Sequence, residues 1–100
     1  MAEHPLSTLK KLDPVYMEEF EKMDDLVLSD GALPRKIKLL MALAFDAAHG
    51  AGNGVAALAR QSMASGATKQ EIAETVRVAA LLGGEGALYT ASQALKGIVD

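Results

Sequence analysis

The 100-residue sequence predicts an all-α fold in a single domain. Three observations carry that expectation. Apolar residues recur at spacings of three and four, and no stretch alternates apolar and polar residues as a half-buried strand would. Half of the residues are hydrophobic, yet only 4% are aromatic and Trp is absent. The core must therefore be built from Ala, Leu, Val, Ile and Met, which suits close helix packing. Glycine and proline fall between the periodic stretches, where they start and stop helices.

The expected organisation is an N-terminal leader over residues 1–12 and one domain of about five helices over residues 13–100. Asp13-Pro14 starts the first helix, since Asp caps and Pro suits the first helical position. Tyr16, Phe20, Met23 and Val27 mark its apolar face, and Ser29-Asp30-Gly31 ends it. Leu33-Pro34 opens a second helix running to about His49. From Leu39 to Phe45 this helix loses its polar face, so it calls for burial on all sides. A chain this short has few elements to surround it, and neighbouring subunits are expected to cover the remainder. Gly50 to Gly54 breaks the helix, and a third follows over about Asn53 to Ser65, closed by Gly66. Thr68 and Glu71 fit a capping box for a fourth helix ending near Leu82, with Ile72, Val76 and Ala79 inward. The last helix, about Ala87 to Val99, is expected to bury Leu88, Ala91, Leu95 and Ile98.

Composition excludes several classes of function. There is no Cys, hence no disulfide, thiolate metal site or cysteine nucleophile. Ten basic residues against 13 acidic ones give a net charge of −3, which lacks the basic footprint of a nucleic-acid binder. The N-terminus carries no secretory pattern and no apolar run is long enough to span a bilayer. A soluble cytoplasmic protein is expected. Two His and scattered carboxylates form no convincing metal constellation, and no dinucleotide or phosphate-loop fingerprint is present; no cofactor is expected.

Lys36 to Ala44, Gly66-Ala67-Thr68-Lys69-Gln70-Glu71-Ile72-Ala73-Glu74, and Val76 to Leu82 with Gly83-Gly84 together resemble the carboxymuconolactone decarboxylase family, which includes the alkylhydroperoxidase D-like proteins. The resemblance covers well over half of the chain. It implies a compact helical bundle and an obligate homo-oligomer, commonly a trimer or hexamer. Redox members of the family carry a Glu, a Cys-x-x-Cys and a His. Laid without gaps on Gly66, those positions fall on Leu39, Ala51, Gly54 and Leu58, all chemically silent. Peroxide reduction needs an attacking thiolate and a resolving thiol, so that activity is excluded. The decarboxylase branch commonly carries a His at the Leu58 position, and its loss weakens transfer of that activity too.

Three polar features remain where the family places its cavity. Asp46 and His49 lie three apart on one helical face, where Asp46 could orient the imidazole for acid–base work. Gly52, Asn53 and Gly54 open a helix whose free backbone N–H groups could bind a carboxylate or enolate. Glu85 lies between glycines and is followed by Tyr89. Each also has a plainer structural role: His49 as a helix C-cap, Asp46 as a partner of Arg60 or His49, the glycines as a break, Glu85 as a dipole partner, and Tyr89 as packing. The functional expectation is a small-molecule lyase, decarboxylase or isomerase. His49, Glu85 and Asp46 would do the chemistry, and Gly52, Asn53, Gly54, Arg60 and Tyr89 would hold a small anionic ligand at a subunit-interface pocket. The alternative is a non-catalytic oligomer that binds a ligand or acts as a scaffold. A protein-partner role through the acidic first helix is a third reading.

Overall fold

Six helices and no strand make up the computed structural model, which describes residues 4–100. They are α1 (Ser7–Leu12), α2 (Pro14–Leu28), α3 (Arg35–Ala48), α4 (Gly52–Ala64), α5 (Lys69–Gly83) and α6 (Gly86–Leu95). The extra element relative to expectation is α1, a six-residue helix within the leader that packs chiefly on α2. Residues 1–3 of the leader lie outside the described residues.

Local signals set the helix boundaries. Pro14 begins α2, and Asp13 Oδ1 accepts the Tyr16 N–H at 3.2 Å. The capping box at α5 forms in full: Thr68 Oγ1 accepts the Glu71 N–H at 3.0 Å, and the Thr68 N–H donates to Glu71 Oε1 at 2.8 Å. Glu71 also receives Lys36 Nζ at 3.0 Å, which ties the start of α5 to α3. The last helix ends at Leu95, short of the expected Val99, because Gly97 turns the chain at φ +80° and donates its N–H to Asp100 Oδ1. Ile98 and Val99 fold back against the core as a turn.

The core lies where α3, α4, α5 and α6 meet. Leu43, Ala47, Val55 and Ala59 are completely buried there, with Ile72 and Ala79 from α5 and Ala87 and Ala91 from α6. Small residues permit the close approach. A Cβ on Gly83 would sit 2.6 Å from the Cβ of Ala48, so the end of α5 touches α3 with no side chain to spare.

Two expected faces are corrected. On α2 only Met17 is buried. Tyr16, Phe20, Met23 and Val27 are exposed, because α2 rests on α1 and the edge of α3 and no layer covers its other sides. Leu88 is likewise 47% exposed, with Ala87 and Ala91 presenting the inward face of α6. The second expectation about α3 divides. Leu39, Leu40, Leu43 and Ala47 face the core, while Ile37, Met41 and Phe45 form a stripe open to solvent. No helix among the described residues is long and apolar enough to cross a membrane.

Candidate functional site

A cleft of about 980 Å³ separates the α1–α2 hairpin from the body of the molecule. Its inner wall is Ala42 and Asp46 of α3 with Asn53, Gly54, Leu58 and Gln61 of α4. Its outer wall comes from α2, where Met17, Phe20, Glu21, Asp24 and Leu28 recur at helical spacing. Lys10 of α1 closes one end and bonds Glu21 at 3.1 Å.

Asp46 is the ionisable group of the inner wall. It sits in the last turn of α3, directly over the first turn of α4, and its carbonyl accepts the Ala51 N–H at 2.8 Å. A side chain at position 54 would collide with its carboxylate, since a Cβ there would lie only 2.9 Å from Asp46 Cγ. Glycine at 54 therefore makes room for the acid. Burial raises the Asp46 pKa above its ordinary value, and the nearby His49 opposes the shift only in part. Desolvation disfavours the carboxylate form, so this acid holds its proton to higher pH than a surface aspartate.

The remaining expected site residues do not converge. His49 caps α3 and is exposed; its Nδ1 lies 2.7 Å from the Phe45 carbonyl oxygen. That oxygen can only accept, so Nδ1 carries the proton. The imidazole stacks on the Phe45 ring at 6.4 Å instead of bonding Asp46. The carbonyl one turn back is the nearer partner for a histidine at a helix C-terminus, which overrides the expected Asp46–His49 pair. Glu85 is exposed at the N-cap of α6 and makes no side-chain cap bond. Arg60 and Tyr89 are also exposed, and neither they nor His49 nor Glu85 line the cleft. Gly52 and Asn53 border a second, shallower depression of about 400 Å³ with Thr90 and Gln93. Asp46, Asn53 and Gly54 thus reach one cavity together, and Asn53 stands between the two.

The sequence reading missed the α2 wall. Glu21, Asp24 and Asp25 pass for an ordinary wet face. Only their spacing with Met17, Phe20 and Leu28 marks them as neighbours on the side turned to the cleft. No group of three His, Asp or Glu placed to hold a metal ion occurs among the described residues.

Residues 14–97 match the sequence profile of the Carboxymuconolactone decarboxylase family. The chain belongs to this family. It also superposes on the apo crystal structure of a carboxymuconolactone decarboxylase family protein from Legionella pneumophila with a TM-score of 0.82. The two are 30% identical, over 91% of this chain and 81% of the other. No curated protein matches the chain. The chain has no cysteine, so it lacks the redox motif of the peroxide-reducing branch. Of the four positions onto which the resemblance lays the redox residues, Gly54 and Leu58 line the cleft, whereas Leu39 is sealed in the protein interior.

Proposed function

We propose that this carboxymuconolactone decarboxylase family protein is a small-molecule isomerase or lyase in which Asp46 moves a proton within the cleft. The observation that carries the reading is the placement of Asp46: a partly desolvated carboxyl on the inner wall of a cavity, among Ala42, Gly54 and Leu58. A carboxyl with a raised pKa is a competent acid below that pKa and a stronger base above it than an ordinary aspartate. Ala42, Leu58 and Phe20 would hold an apolar substrate body and exclude water beside the acid. His49 does not line the cleft and its Nδ1 is engaged with the Phe45 carbonyl, which favours Asp46 over His49 as the group that moves the proton.

The test is proton exchange at activated carbon. Compounds with a C–H beside a carbonyl, the named lactone of the family among them, are incubated in deuterated buffer and followed by NMR. Asp46→Asn should slow exchange by about 10²- to 10⁴-fold and leave binding nearly unchanged. Equal exchange by the wild type and Asp46→Asn overturns the reading. A non-catalytic ligand-binding role is the second reading, favoured by the silent Leu39, Ala51, Gly54 and Leu58 and by the dispersal of His49 and Glu85. It requires binding in the cleft with no exchange in either protein.

We further propose that the working unit is a homotrimer or homohexamer. The chain exposes 6818 Å². A compact monomer of 10.5 kDa exposes about 5,400 Å². The excess is larger than the roughly 800 Å² per partner of an ordinary interface, which supports more than one contact face per chain. Leu81 and Leu82 at 83% and 81% exposure, with Phe45 at 64%, are the groups whose burial would drive it.

A further inference from the structure

We propose that Asn53 is a site of self-modification: the Gly54 backbone nitrogen displaces its side-chain amide, and the resulting acid remodels the inner wall of the cleft. Asn53 is the only asparagine of the chain and is followed directly by glycine. Asparagine is a thermolabile residue, most of all where the next residue has no side chain to shield the attacking nitrogen. The step needs no catalytic role for Asp46.

Asn53 is exposed in the first turn of α4, so water reaches its amide. The helical ladder begins just beyond the pair: the Val55 N–H is the first to donate along it, to the Ala51 carbonyl at 3.0 Å. The Gly54 N–H lies ahead of that bond, among the first N–H groups that a helix leaves unpaired. It has no acceptor among the described residues. Ala51 at the N-cap contributes no side-chain bond to hold the turn. Bringing the Gly54 nitrogen onto Asn53 Cγ requires rotation of the main chain between them. That rotation opens only first-turn bonds, and helix ends open locally at little cost.

The step balances with water as the co-reactant. The Gly54 N–H gives its proton to solvent base, the nitrogen bonds to Asn53 Cγ, and the Cγ–Nδ2 bond breaks with release of ammonia. Water then opens the succinimide at either carbonyl. Attack at Cγ leaves aspartate; attack at the main-chain carbonyl of residue 53 leaves isoaspartate, with the backbone rerouted through the side chain. Either product adds a negative charge to a net charge of −3. Asn53 and Gly54 line the cleft together with Asp46, whose carboxylate lies against Gly54. A new carboxylate there repels that of Asp46, and an isoaspartate link lengthens the backbone at the glycine that makes room for it.

The test ages the full-length protein in mildly alkaline buffer made with heavy-oxygen water and follows it by peptide mass spectrometry and amide chemical shifts. The peptide carrying Asn53 should convert to a pair of acidic isomers, isoaspartate in excess, each holding a heavy oxygen. Gln61, Gln70 and Gln93 should remain amides over the same period. Conversion should move the Asp46 amide signal and leave those of Ile72 and Ala79 in place. The same chain unfolded in guanidinium chloride gives the intrinsic rate. If residue 53 stays an amide in the folded protein while the unfolded chain converts, the helix start protects it and the proposal is overturned. If it converts with the Asp46 signal unmoved, the effect on the cleft is overturned.

Discussion

Asp46 and Gly54 act as a pair across the α3–α4 junction. The acid occupies the space a side chain at 54 would need, so Gly54→Ala should push the carboxyl out of the inner wall. The expected result is loss of activity comparable to Asp46→Asn with the helical content intact, measured by turnover and circular dichroism. The raised pKa carries a stability consequence of definite sign. The folded state binds the Asp46 proton more tightly than the unfolded chain does, so stability from this group declines as pH rises from 3.8 through the higher folded value. Asp46→Asn should therefore be at least as stable as the wild type at pH 7, with its advantage vanishing in acid below 3.8. Denaturant midpoints across that range check it, and a variant selectively weakened at neutral pH contradicts it. Glu71 has the opposite sign. The Thr68 N–H and Lys36 lower its pKa, so its contribution is present at neutral pH and fades as pH falls through the ordinary carboxylate range and then the lowered value.

Among the helices, α3 and α5 are joined by the most specific devices. Thr68→Ala removes one half of the capping box and should cost about 1 kcal/mol. Leu43 is fully buried between α3 and its neighbours, and Leu43→Ala should cost about 2–5 kcal/mol through the cavity left behind. Gly83→Ala forces a methyl against Ala48 and should destabilise by about 1–3 kcal/mol. Urea unfolding of the three variants orders them. The α1–α2 hairpin behaves differently, with Met17 as its single buried residue. It should exchange its amide protons well before α3 and α4 do in the isolated chain, which hydrogen exchange reads directly.

For the molecule as a whole, the apolar surface is the dominant fact. Ile37, Met41 and Phe45 of α3, Leu81 and Leu82 of α5, Leu88 and Tyr89 of α6, and most of the apolar residues of α2 are exposed. Exposed apolar area of this extent is what the proposed assembly would bury. Sedimentation should give a trimer or hexamer for the wild type, and Leu82→Asp or Phe45→Asp should shift it to smaller species without loss of helicity. A compact wild-type monomer at micromolar concentration would refute the assembly.

The sequence by itself determined the fold class, the boundaries of the four central helices to within one or two residues, the capping box and the family, and it ruled out thiol chemistry. These follow from signals that are local in the chain: periodicity, caps, glycine positions and a missing residue type. It fixed neither the partners of side chains nor which apolar faces this chain covers. His49 and Asp46 share a helical face, yet the Phe45 carbonyl takes the imidazole and Gly54 makes room for the acid. The face of α2 reads as core, yet among the described residues only α1 and the edge of α3 pack closely on this helix. Both outcomes depend on which helices meet in space, and spacing along one helix carries no information about what lies opposite it.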